Sequence, residues 1–336
     1  MAGQATATVR NALRWLHRFG VQPESGPPSL VAGLALTPPV IAGVAFFRLT
    51  ALEMLGIALA AGLAAHLVAR LLGQPLDGSP LLPALVGVAL VGSGATLPWA
   101  ASVAALAAVL ELGRARVVPA ARLQVGTVAY ALVLLLGHGA PAAYVSPGGA
   151  SGPEPIRLWQ QFFGGGEAPI DPVRLYAGDV AGPIFATSML AVAVGAAWLW
   201  YSRRLSLLTV LTFLAGAMVP IVLERWSIGY HLESGPLWFA AALVLADRRT
   251  LPASKVGRPL LGLAAGVVAL GARTRGFAIE SALVTVAGMQ VLTCVVQGLG
   301  WVRRHREETR AGLRDLRETV LALGRLHRPR QAQPPS

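Results

Sequence analysis

The 336-residue chain has one cysteine, Cys294, and it lies inside an apolar run. Disulfide frameworks and cysteine metal sites are therefore excluded. Charge is scarce too: 13% of residues are charged, with 28 Lys and Arg against 16 Asp and Glu, for a net charge of +12. The six histidines show no metal-ligand spacing, so His66 and His138 read as structural and no metal site is expected. The chain also lacks a glycine-rich nucleotide fingerprint, so dinucleotide chemistry would belong to a partner. What it has in excess is apolar surface. At 54% apolar residues, a soluble domain of this length has no core large enough to hide them.

Apolar runs of span length recur from Ser29 to Gly300, which points to an all-α polytopic membrane protein. Ten spans can be drawn, at roughly 29–47, 50–72, 81–93, 97–112, 123–137, 180–201, 205–223, 236–246, 259–272 and 278–299. With the N-terminus inside, 22 of the 28 basic residues fall in inner segments and 6 outside: Arg48, Arg157, Arg174, Arg225, Arg273 and Arg275. That bias supports both the count and the orientation, with both termini cytoplasmic in a bacterial inner membrane. Basic residues in loops and tail are a membrane habit, so no nucleic-acid partner is expected. The N-terminus does not read as a cleavable signal, because its basic region is long and the first apolar run is a full span.

Five regions follow. Residues 1–28 form a cytoplasmic amphipathic segment (ATVRNALRWLHRF), 29–137 a first five-helix repeat, and 138–179 an extracytoplasmic Gly/Pro-rich loop. Residues 180–300 form a second repeat and 301–336 a cytoplasmic basic tail. In the tail, Leu313, Leu316, Val320, Leu323 and Leu326 make a helical stripe flanked by arginines, suited to the lipid surface or a partner helix.

The third and eighth spans are too short for a bilayer that needs ~20 apolar residues. Each is third in its half of a 5+5 division, and the second half enters from the opposite face. That is the trace of an inverted repeat with broken helices, and such breaks mark mid-membrane sites. Their entries are alike: Asp77-Gly78-Ser79-Pro80 and Glu233-Ser234-Gly235-Pro236. Plain helix capping explains this pattern; so does a pair of helix N-termini presented to a bound group. Glu280 and Glu224, at span ends with Glu53 and Glu111, are candidates for an ion pathway, against the reading of ordinary interfacial acids.

The stretch LADRRTLPASKVGR, residues 245–258, resembles a loop of the RnfD and NqrB membrane subunits of ion-pumping redox complexes, with Asp247, Thr250, Pro252, Gly257 and Arg258 in step. GDVAGPIFATSMLAVAVGAAWLWYSRR is similar to another segment of that family, matching at Gly178, Gly182, Thr187, Ser188, Leu190, Ala191 and Gly195. Asp77-Gly78-Ser79 with Leu97-Pro98-Trp99, and Arg273 with Glu280, supply two more matches. The resemblance implies a 5+5 bundle that holds flavin and passes electrons between partner membrane subunits, coupled to Na⁺ or H⁺ movement. It nominates Asp77, Gly78, Ser79, Gly182, Thr187, Ser188, Asp247, Thr250, Pro252 and Arg258 as cofactor-binding residues.

The chain departs from the family at one telling place. Members carry FMN joined by a phosphoester to a threonine in an S-G-A-T motif; here the matching run is Ser151-Gly152-Pro153-Glu154. A carboxylate cannot form that link and repels the phosphate. No covalent FMN is therefore expected at Glu154, and any flavin (FMN or riboflavin) or quinone would bind non-covalently. Other motifs are eroded: the loop GRARVVPAARLQ keeps Pro119 but has lost both asparagines, and Pro183, Phe185 and Ala186 replace a serine and a Gly-Glu pair. In this the chain resembles divergent members such as those labelled UnbU, found with natural-product clusters. A small-solute transporter or channel-like protein on the same fold, without redox activity, is the competing expectation.

Overall fold

The computed structural model describes residues 28–73, 80–117, 121–150, 154–161, 170–252, 254 and 256–304. The amphipathic N-terminal segment, Asp77-Gly78-Ser79 and the basic tail stripe lie outside the described residues. Among the described residues every regular element is helical, with two isolated β-bridges, Gly92 to Pro183 and Leu205 to Asp247.

The first element, α1 (Pro28–Leu71), is two helices that meet at Arg48 (φ 49°, ψ −117°). A continuous helix of its 44 residues would run about 66 Å, more than twice the hydrocarbon core. The break leaves two arms, each of span length, where two spans are expected. It is followed by α2 (Leu81–Ala89), α3 (Leu97–Val117) and α4 (Val125–Leu136). The segment between the two expected repeats carries a short 3₁₀ turn (Ala140–Ala142) and two small helices, α5 (Pro155–Gln161) and α6 (Pro172–Ala177). Next come α7 (Met189–Tyr201), α8 (Leu207–Leu223), α9 (Ile228–Leu232) and α10 (Gly235–Trp238), which runs on as a π-helix (Phe239–Leu245). The chain closes with α11 (Gly257–Gly271), a 3₁₀ turn (Ala272–Arg275) and α12 (Glu280–Arg304).

Among the described residues, three stretches are long and apolar enough to cross a membrane: Leu30–Leu71, Leu97–Arg116 and Glu280–Gly300. Four shorter apolar helices accompany them, Val125–Leu136, Met189–Tyr201, Leu207–Leu223 and Gly235–Leu245. Large apolar side chains such as Leu67, Leu136, Trp200, Leu223 and Leu299 are exposed along these helices. Water would penalise that surface; lipid would not.

Two span ends differ from expectation, for backbone reasons. The third span stops at Ala89, and Leu90–Ala95 continues as buried irregular chain. Buried peptide groups need partners, and these have them. Gly92 N donates to Pro141 O, Ser93 N to Gly182 O and Gly94 N to Ala143 O, while Ile184 N donates to Val91 O. A Cβ on Gly92 would collide with the Ala143 carbonyl, so the close approach needs glycine. The sixth span begins at Met189 rather than near 180. Gly178 turns the chain at φ 94°, with Ser188 backbone packed where a Cβ would sit, and the Ser188 hydroxyl caps α7 by accepting from Ala191 N at 3.2 Å.

Small residues set the helix contacts. A Cβ on Gly262 or Gly266 of α11 would strike the backbone of α8 at Thr209 and Phe213, and one on Gly62 of α1 would strike Leu81 of α2. At the centre every residue from Phe239 to Leu245 is buried, so the π-helix is apolar on all sides. Gln290, itself buried, ties it in place: its side-chain N–H donates to Val244 O at 3.1 Å and its carbonyl accepts from Gln124 N at 2.9 Å. The chain divides into two compact units, Met1–Val291 and Leu292–Ser336, the second described only as the last turns of α12.

Candidate functional site

The densest group of buried ionisable side chains lies around α5. Pro155 occupies the first helical position, where its missing N–H costs nothing. Glu154, just before it, accepts from Ile156 N at 2.7 Å and from Arg157 N at 3.0 Å. Its carboxylate is thus the cap of α5, and it is fully buried. Burial pushes this carboxyl up to about 7; the Ile156 amide opposes that, Glu280 adds to it, and Arg273 and the Arg157 amide oppose it.

Three contacts hold α5 down. The Arg157 guanidinium donates to Glu280 Oε1 at 2.6 Å. The Tyr230 hydroxyl donates to Pro155 O at 2.9 Å. The Trp159 ring stands edge-on to Trp226 and His231, at centroid distances of 5.6 and 4.6 Å. Glu280 opens α12, where the helix N-terminus favours an acid.

Behind α5 lies His231 of α9, buried and stacked on Trp226 at 4.7 Å. Its Nδ1 is 2.9 Å from the Arg273 guanidinium. A guanidinium only donates, so Nδ1 accepts and the proton of the neutral ring sits on Nε2. Burial, helped by the Arg273 charge, holds His231 down to about 3. Arg273 is 2% exposed; burial lowers it to about 10 while Glu154 and Glu280 hold it up, so it stays cationic at neutral pH. Tyr144 lies beside Tyr130 of α4, and burial raises the Tyr144 phenol well above its ordinary range, with Tyr130, Glu280 and Glu154 adding to it. The two phenols interact with each other. Two acids, two guanidiniums and a neutral imidazole thus share one electrostatic neighbourhood.

Of this group, the sequence nominated Glu280 as an ion-path residue and singled out Glu154 and Arg273. Arg157, His231, Tyr130 and Tyr144 were missed, because they come from separate elements with no fixed spacing. One signal was available: Arg157 and Arg273 belong to the base-poor side of the chain. The other ion-path candidate, Glu224, is exposed at the end of α8.

The nominated cofactor residues fall into two groups. Gly182, Thr187 and Ser188 lie against the start of α10, where a Cβ on Gly235 would collide with the Thr187 carbonyl. Asp247, Thr250, Pro252 and Arg258 lie past the other end of the same short helix. The whole of that helix, Gly235–Leu245, stands between the two groups. The second group bonds mainly within its own loop. Asp247 accepts from Arg249 N at 3.0 Å, Thr250 Oγ1 donates to Asp247 O at 3.0 Å, and Arg258 Nε donates to Pro252 O at 3.0 Å. Asp77, Gly78 and Ser79 are outside the described residues.

Helices with lipid-suited faces and a buried charged cluster define a multi-pass membrane protein. Compared with protein families, residues 29–299 match the NQR2, RnfD, RnfE family, and the chain belongs to it. Comparison with curated proteins finds no match. Family membership supports a membrane subunit of a redox or ion-transport complex, with other membrane subunits as partners.

Proposed function

We propose that this chain is an electron-transfer subunit of a multi-subunit redox complex in a bacterial inner membrane. Its cofactor is a non-covalently held flavin or quinone, and electron flow is coupled to ion movement. The observation that carries the reading is the family match over nearly the whole span region. The finer architecture we propose is the 5+5 inverted repeat. It is supported by the short central helices α2 and α10, and by the contacts of α8 with α11, a second-with-fourth span pair, beside those of α1, which holds the first two spans, with α3. The base-rich ends would face the cytoplasm, and the tail would meet the lipid surface.

The absence of a phosphoester-linked FMN is supported by what Glu154 does. Both of its oxygens accept backbone amides, it is fully buried, and a second acid, Glu280, lies within electrostatic reach. A phosphate placed there would meet two acids and no threonine hydroxyl. A second reading, a solute transporter on the same fold, is favoured by the locally satisfied side chains of Asp247, Thr250 and Arg258, which are engaged within their own loop. The redox reading is tested on membranes from cells lacking the chain. Loss of donor-driven quinone reduction, restored by the intact gene, is the expected result. An unchanged rate would overturn it.

A further inference from the structure

The end of the bundle where α7 stops and α8 starts gathers arginines from distant parts of the chain. α7 ends at Tyr201, and Arg203 turns the chain at φ 56°, with Arg203 N donating to Trp200 O and Arg204 N to Leu199 O. The next residues form the antiparallel bridge of Leu205 with Asp247. Ser206 N donates to Ala246 O and Arg248 N to Arg204 O, both at 2.9 Å. Backbone bonds thus fix the Arg203-Arg204 pair beside the Arg248-Arg249 pair. Arg258 lies at the same end. A Cβ on Gly262 would meet Thr209 and one on Gly266 would meet Phe213, so α8 and α11 run parallel and both start here.

The acid in this group is Asp247, which is buried and already engaged: it accepts from Arg249 N and pairs with the Arg249 guanidinium at 3.4 Å. Arg203 and Arg248 are exposed, and among the described residues neither has an acid partner. A loop on the basic side of a membrane collects arginine in any case, and freely moving charges of that kind need no ligand. Here the bridge holds them on one frame, where like charges repel until an anion neutralises them. Exposed apolar side chains border the arginines, with Trp200 and Tyr201 before them on α7 and Leu207 and Leu208 after them on α8. A soluble anion would leave that apolar surface bare. A phospholipid covers both parts: its phosphate accepts paired guanidinium N–H bonds, and its acyl chains lie along the apolar residues. Trp and Tyr at the junction suit the depth of a headgroup.

We propose that Arg203 and Arg248, with Arg204 and Arg249 beside them, bind the phosphate of an anionic phospholipid at this end of the bundle. The lipid ties the α7–α8 turn to the 246–249 segment. The site goes beyond the proposed function and needs only a chain set in a membrane, so it stands or falls apart from electron transfer.

Native mass spectrometry of the detergent-purified full chain tests it, with phosphatidylglycerol and phosphatidylcholine as probes. The intact chain should retain phosphatidylglycerol about tenfold more strongly, as one or two arginines near an anionic headgroup provide. The double variant Arg203→Asn with Arg248→Gln should lose most of that preference; Asn suits the left-handed turn at 203. Removing equal charge from the basic tail, with Arg310→Gln and Arg314→Gln, should leave most of it in place. Equal losses from both pairs would overturn the site, because net charge alone would then explain the preference. So would equal retention of the two lipids by the intact chain. If the double variant fails to fold, Arg248→Gln alone should still weaken the preference, and no change there would overturn the site as well. Millimolar inorganic phosphate should displace no more lipid than chloride of equal ionic strength; selective displacement would assign the arginines to a soluble anion instead.

Discussion

The loop at 246–258 and the cluster around Glu154 both gather charge at the ends of apolar helices, but they satisfy it differently. In the loop, Asp247 caps Arg249 N, Thr250 bonds back to Asp247 O, and Arg258 reaches Pro252 O, six residues away. Every one of these bonds closes within a few residues, so sequence neighbours suffice to explain them. Around Glu154 the partners come from far along the chain: Arg157 meets Glu280 and Tyr230 meets Pro155, while His231 meets Arg273. Such contacts form only when the bundle is assembled, and they leave polar atoms over. The loop resembles the family more closely in sequence, yet the less conspicuous cluster has the geometry of a working site.

The comparison breaks most sharply at Arg273. Its guanidinium is buried among two acids and holds His231, so Arg273→Ala leaves uncompensated charge. It should cost about 3–5 kcal/mol in unfolding of the detergent-solubilised protein. A loss as small as that from a loop substitution would erase the distinction drawn here.

Next in size is the pH response of Glu154. Its folded carboxyl sits at about 7 against an ordinary 4.5, so the folded state prefers the protonated form. Its contribution is fully present below pH 4.5 and is lost as pH rises through 7. At 1.36 kcal/mol for each pKa unit, the loss is about 3 kcal/mol at most. His231 works in the opposite sense. Held neutral down to about 3, it costs stability as pH falls below its ordinary 6.5. Stability curves from pH 4 to 8 should therefore lose their falling neutral limb in Glu154→Gln and keep the acid-side limb. Identical curves for both proteins would remove Glu154 from the account.

Smaller still is Asp247→Ala, which removes a loop cap and an Arg249 pair that is 3.4 Å long and half-exposed. It should cost about 1 kcal/mol. Donor-driven electron transfer tells whether the loop is more than a loop: a severalfold loss with normal insertion would make it a wall of the cofactor site. Glu224→Gln, at an exposed helix end, should change stability by less than about 0.5 kcal/mol and leave activity alone.

Much of the fold could be read in the sequence because lipid imposes a coarse rule on it. Apolar runs mark the helices, and a helix too short to span shows itself by length, as α2 and the α10 segment do. Chain that leaves the helix yet stays buried is harder to read. Leu90–Ala95 is as apolar as a span, and its pairing with the 141–143 and 182–185 segments shows why it is not helical. The π-helix, too, has no signal in the run FAAALVL. For the site, Glu280 could be found as an acid beside a span and Glu154 as a departure from a family pattern. Their meeting could not, because more than a hundred residues separate them. Tyr130 and Tyr144 carry no spacing signal that ties them to Glu280.

The proposed redox subunit holds its flavin without a bond at Glu154. The most direct measurement is the absorption and fluorescence spectrum of the purified full chain, before and after acid precipitation. A flavin spectrum that leaves the protein with the acid supernatant is the expected result. Flavin that stays on the precipitated chain would contradict the non-covalent reading, and a chain with no flavin in either fraction would leave solute transport as the stronger one.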